Sequence, residues 1–182
     1  SIEFYALGNA AVDENITTKT ALLALTEETP GSYNGTFANV SSKALRSGGF
    51  LMSGTATKSI GAAGTTTEVA ITLRRDVAKV AVQASLSPAF ADKYPGTVRI
   101  TSVKLSRSAM QTPYFGGTPK TGAMTFTHTQ TPGETSGRFN ALFYCFENAA
   151  LASGSRVLLT LDGVYDRDGK TSTTSDQVPI SY

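Results

Sequence analysis

The chain has 182 residues, of which 40% are hydrophobic and 16% charged, with a net charge of +2, one cysteine and one histidine. That is enough apolar material for one large domain or two small ones, and the scattered basic residues leave no electrostatic footprint for nucleic acid. No apolar run reaches the roughly eighteen residues that a membrane helix needs, and one cysteine excludes an internal disulfide, so stability must come from packing.

The chain opens on a strand-like run, "SIEFYALGNA", in which Ile2, Phe4 and Ala6 alternate with Tyr5 and Leu7. It closes as abruptly on "QVPISY", where Val178, Ile180 and Tyr182 alternate. The expectation is a fold that is incomplete at its ends, with sheet partners missing there. Between them, "NITTKTALLALTEETPGSYNG" carries the one convincing helix signal, from about Thr18 to Glu28. Thr17 or Thr18 caps it, Leu22, Leu23 and Leu25 form its apolar side, and Pro30–Gly31 ends it. Ser32 to Gly49 reads as loop. Phe50, Leu51 and Met52 then form a short apolar segment, and "SIGAAGTTT" reads as a turn.

The stretch "ITLRRDVAKVAV" alternates as a strand does, then loses its phase. Val69, Ile71 and Leu73 share one face of an extended chain, whereas Ala78, Val80 and Val82 lie one residue out of step. A slip of this kind needs a β-bulge or a strand that leaves one sheet for another, and it places Arg74, Arg75 and Asp76 at the change with their charges in solvent. "SPAFADKYPG" reads as the place where a second unit begins. Beyond it "TVRITSVKLSR" slips again, from Val98 and Ile100 to Val103 and Leu105. "AMTFTH", "RFNALFYCFEN", "RVLLTLDGVYD" and "QVPISY" complete roughly eight strand-like runs, which argue for an all-β sandwich. Asp168–Gly169 is the best hairpin turn.

Residues that carry chemistry are few. Cys145 lies among Phe143, Tyr144 and Phe146 and reads as a buried thiol, and His128 in "TFTHTQT" has no partner motif. "SGGFLMSG" does not follow a strand and open a helix, so it is a turn rather than a phosphate cradle. Asp162, Asp166 and Asp168 lack the D-x-D-x-D spacing of a calcium loop. Arg74–Arg75 reads as the charge that blunts a strand edge. No catalytic set, cofactor site or metal site is expected, and an enzyme is the least favoured reading. Tyr114–Phe115 in "QTPYFGG" is the one aromatic platform open to a ligand.

Four stretches in order, "IEFYALGNA", "GFLMSG", "LRRDVAKVAV", and "LFYCFENAA" with "RVLLTLDGVYDRDG", resemble the fimbrillin family, the pilin subunits of type V fimbriae of Bacteroidia. The resemblance implies two consecutive transthyretin-like Greek-key β-sandwiches with one short helix, residues 1–95 and 96–182. It also implies an outer-membrane lipoprotein precursor trimmed at the cell surface, where a strand of the next subunit fills the groove that trimming opens. The function expected is a structural subunit of a fimbria, polymerising by donor-strand exchange and supporting adhesion and biofilm. Its partners would be other pilin subunits, in a homopolymer or with minor subunits, and ligands on host or bacterial surfaces. The alternative is a secreted carbohydrate- or protein-binding β-sandwich.

Overall fold

A computed structural model of the protein describes residues 1–10, 12, 14–28, 34, 48–94, 96–117, 124–129, 138–148, 152, 154–167 and 177–181. Among these the strands are β1 (Ile2–Gly8), β2 (Thr26–Glu28), β3 (Met52–Lys58), β4 (Arg74–Arg75), β5 (Val77–Ser85) and β6 (Thr97–Ser108). They continue with β7 (Gln111–Pro113), β8 (Met124–Thr129), β9 (Arg138–Phe146), β10 (Leu158–Asp166) and β11 (Gln177–Ser181). Two short helices join them, α1 (Lys19–Leu23) and α2 (Pro88–Lys93). The sheets run β1-β3-β4, β11-β10-β6-β8, β2-β7 and β5-β9, with every pairing antiparallel. The fold is all-β and sandwich-like. The ladders β2–β7 and β5–β9 join chain that precedes position 95 to chain that follows it.

Strand β9 organises the core because it buries both of its faces. Phe139, Ala141, Phe143 and Cys145 point to one side, where they meet Val103 and Leu105 of β6 and, less completely buried, Val80, Val82 and Ala84 of β5. Leu142, Tyr144 and Phe146 point to the other, with Val77, Ala109 and the ring of Phe50. A strand covered on both faces needs a nearly continuous apolar run, and "FNALFYCF" supplies it, with only Asn140 exposed. Each side chain of this size contributes roughly 1.5–3 kcal/mol on burial.

The two phase slips have different structural origins. At the first, Arg74 and Arg75 pair with Ser53 and Met52 of β3, while from Val77 onward the chain pairs with β9. The strand therefore leaves one sheet and enters another at Asp76, and its inward set changes with it: Val77 packs in one cluster and Val80, Val82 and Ala84 in the other. At the second, the β6–β10 register jumps from Ser102↔Asp162 to Ile100↔Gly163, which leaves Thr101 as the extra residue of a β-bulge. The bulge lets Ile100, Val103 and Leu105 all face the same core.

Several expectations are corrected. The helix is shorter than Thr18 to Glu28: Thr18 does cap it, accepting from the Ala21 amide at 3.1 Å, but Thr26–Glu28 is drawn into a ladder with β7. A five-residue helix has little stability of its own, so pairing across the sheet decides that segment. A second helix forms in "SPAFADK", where Pro88 occupies the first turn, a position that does not need its missing N–H. Residues 69–73 form no ladder and instead lie across β3. A Cβ on Gly54 would come within 2.4 Å of the Thr72 carbonyl oxygen, so only glycine admits this crossing. Val69 and Ile71 are half-buried there, but Leu73 is 39% exposed. The turn expected in "SIGAAGTTT" is present, closed by the Thr65 amide on the Ala62 carbonyl with Gly64 at φ 83°.

Candidate interaction groove

The hydrogen-bonding direction of β5 follows from one residue, Asn34. Its carboxamide oxygen accepts from the Tyr144 amide and its Nδ2 donates to the Tyr144 carbonyl, both at 2.8 Å. Because both main-chain groups of Tyr144 turn away from β5, its pair with Lys79 is a non-hydrogen-bonded one. The β5–β9 register has no irregularity, so alternation makes Ala81↔Leu142, Gln83↔Asn140 and Ser85↔Arg138 pairs of the same kind. The N–H and C=O groups of Ala81, Gln83 and Ser85 therefore point to the outer edge of β5. Among the described residues no strand pairs with that edge.

Alongside the end of this edge runs a cleft of about 410 Å³. Gln83 to Leu86 form one wall, Phe90 of α2 closes one end, and Val98, Ile100 and Leu161 form the apolar floor. Phe90 is held in place by ring contacts with Tyr94 at 4.8 Å and Tyr165 at 6.0 Å. The bulge at Thr101 is what turns Ile100 toward this side, and the bulge is itself pinned by the Thr101 hydroxyl donating to the Asp162 carbonyl at 3.2 Å. The Asp162 carboxylate in turn accepts from Ser102 and Ser181, each at 3.0 Å, and pairs with Lys104 at 2.5 Å, tying β6, β10 and β11 together. The Lys104 ammonium, then the two hydroxyls, hold the Asp162 carboxyl below its usual range. An open edge beside an apolar trough can add one strand: the edge supplies main-chain hydrogen bonds and the trough accepts alternate side chains.

The residues singled out from sequence are dispersed. Cys145 is buried, at 7% exposure, and burial pushes its thiol up, away from the thiolate a nucleophile needs. His128 lies on β8 opposite Val103, with its side chain outside the described residues. Asp162 belongs to the network above, Asp166 is buried at the end of β10, and Asp168 and Gly169 lie outside the described residues. Arg74 and Arg75 are exposed as expected, but Asp76 is not in solvent. It is half-buried, its Oδ1 accepts from Ser53 at 2.9 Å, and its Oδ2 is sealed without a partner among the described residues. Burial, and after it the charge of Glu27, raises its carboxyl above the ordinary value against the Ser53 hydrogen bond. The Tyr114–Phe115 platform is corrected: Phe115 is buried edge-on against Tyr5, with ring centres 5.1 Å apart, leaving Tyr114 alone at the surface. Asn34 was missed, because "YNG" reads only as a turn and nothing local signals a carboxamide that replaces a peptide group.

No family model matches the chain, and no curated protein matches it. Among solved structures it is similar to a candidate cell adhesion protein from Bacteroides eggerthii DSM 20697, with a TM-score of 0.62 and 17% sequence identity. The match covers 99% of this chain and 60% of that one, so the chain spans about three-fifths of its structural neighbour's length and shares its fold.

Proposed function

We propose that the protein is a non-enzymatic structural subunit of a bacterial cell-surface fimbria, related to adhesion, that assembles by accepting a strand from a neighbouring subunit. The observation that carries this reading is the outer edge of β5, where the main-chain groups of Ala81, Gln83 and Ser85 face outward with no strand paired to them among the described residues, and where Gln83 and Ser85 line an apolar trough. The likeness in fold to a candidate cell adhesion protein of a Bacteroides species supports a cell-surface role, and the four motifs that resemble fimbrillins support the fimbria and biofilm. In this reading the subunit reaches the surface as an outer-membrane lipoprotein precursor, and its first partners are other pilin subunits.

The test is Gln83→Pro. The Gln83 N–H points outward, so proline removes a donor that the β5–β9 ladder does not use, as it can on an edge strand. The variant is expected to keep the strand-rich circular dichroism of the parent and to form no filaments under the electron microscope. Normal filaments from a folded Gln83→Pro protein would exclude this edge as the acceptor.

A further inference from the structure

A second hollow, of about 520 Å³, opens beside the sheet crossing, between β4 and the turn that follows β7. Its size is that of a small-ligand site, and its walls mix polar and apolar surface where the groove under β5 is mainly apolar. Arg74 and Glu147 reach it as exposed side chains, with no hydrogen bond or ion pair among the described residues. The groups around them are fixed. Arg75 is seated over the Phe50 ring at 4.9 Å, Asp76 is oriented by Ser53, and the Tyr114 hydroxyl donates to the buried Glu27 at 3.3 Å. Gly116 and Gly117, at φ 57° and 92°, form the turn at the rim, a conformation that side chains rarely adopt, and a Cβ on Gly116 would meet nothing within 4 Å.

The two exposed charges at this hollow are opposite, the Arg74 guanidinium and the Glu147 carboxylate, while Arg75 lies over Phe50 and the Asp76 carboxylate is turned to Ser53. A fully anionic ligand would meet repulsion from Glu147, and a fully cationic one from Arg74. A ligand rich in hydroxyls satisfies both, because each hydroxyl accepts from a guanidinium and donates to a carboxylate. Pro113 and Tyr114 add an apolar flank for the C–H face of a ring. We propose that this hollow is a saccharide-binding site, with hydroxyls held between Arg74 and Glu147 and the ring lying on Tyr114. The site shares none of its described lining residues with the cleft beside the assembly edge.

The experiment is a glycan array probed with the purified protein, followed by titration of a retained oligosaccharide against the parent, Arg74→Ala and Glu147→Gln. Retention of a subset of glycans is expected, with binding weakened at least about tenfold in each variant through loss of a charge-assisted hydrogen bond. Both side chains are exposed, so both variants should fold and assemble as the parent does. Retention of no glycan, or unchanged affinity in both variants, overturns the site. Filament formation by these same variants is read separately, so failure here leaves the acceptor edge standing.

Discussion

The sheet crossing at Asp76 and the bulge at Thr101 look alike in sequence, each a one-residue slip in an alternating run, yet the fold uses them in opposite ways. The crossing changes which neighbours the chain has, from β3 to β9. The bulge keeps the same neighbour, β10, on both sides and changes only which residues face the core. Their carboxylates differ in the same sense. Asp76 is half-buried and raised by burial, whereas Asp162, which pairs with Ser102 beside the bulge, is held low by the Lys104 ammonium. An alternation break thus marks that a strand must adjust, and the surroundings decide whether it turns a corner or takes up slack.

Deletions separate the two most strongly. Without Thr101 the β6–β10 ladder has no slack, so Val103 and Leu105 are forced out of the core or Val98 and Ile100 are, at several kcal/mol given roughly 1.5–3 kcal/mol per large side chain. Denaturant unfolding should show the loss, or find no folded protein. Deleting Arg75 shortens a two-residue ladder but leaves the β5 register to be set by β9, so its cost should fall in the usual range of roughly 0.5–3 kcal/mol. Arg74→Ser with Arg75→Ser should cost less still. Equal losses from the two deletions would mean that the crossing transmits register after all.

Removing the carboxamide that caps β9 comes next. Asn34→Ala leaves the Tyr144 N–H and C=O without their 2.8 Å partners, and a buried unsatisfied group of this kind costs about 1–3 kcal/mol. Unfolding by urea measures it, and a loss below about 0.5 kcal/mol would show that water replaces the amide freely.

The smallest effect is in pH dependence, and here the two regions should move in opposite directions. The folded pKa of Asp76 is raised, so its favourable contribution is complete below the unfolded value and is lost as pH rises through the folded one. Asp76→Asn should therefore gain stability over the parent at neutral pH, and the gain should vanish on acidification. The folded pKa of Asp162 is lowered, so its contribution is present above the unfolded value and is lost as pH falls through the folded one. Asp162→Asn should be the less stable protein at neutral pH and approach the parent in acid. Thermal melts of both variants across this range test the pair, and parallel curves would contradict the assignment.

These contrasts also show what was legible beforehand. The alternation of "TVRITSVKLSRS" and "RFNALFYCF" was enough to expect strands, both slips and a buried Cys145, because period and apolarity are local properties. What the slips do was not, since a crossing and a bulge differ only in which strand lies alongside. Thr26–Glu28 looked helical because the ladder with β7 is remote, and "SPAFADK" looked like a linker because proline at a first helical turn reads the same as proline in a loop. The candidate groove was the least visible part. It is made by the edge of one strand, one helix and the floor of another sheet, and the orientation of its main-chain groups rests on Asn34, 110 residues from the backbone it holds.

The acceptor role of β5 is tested most directly by amide hydrogen exchange at Ala81, Gln83 and Ser85, compared between monomer and assembled filament. In the monomer these amides point into solvent at an open edge and should exchange fast, while those of Val80, Val82 and Ala84, turned toward β9, exchange slowly. On assembly the three odd-numbered amides should become protected to the level of their neighbours. Filaments in which Ala81, Gln83 and Ser85 exchange as fast as in the monomer would contradict strand addition at this edge.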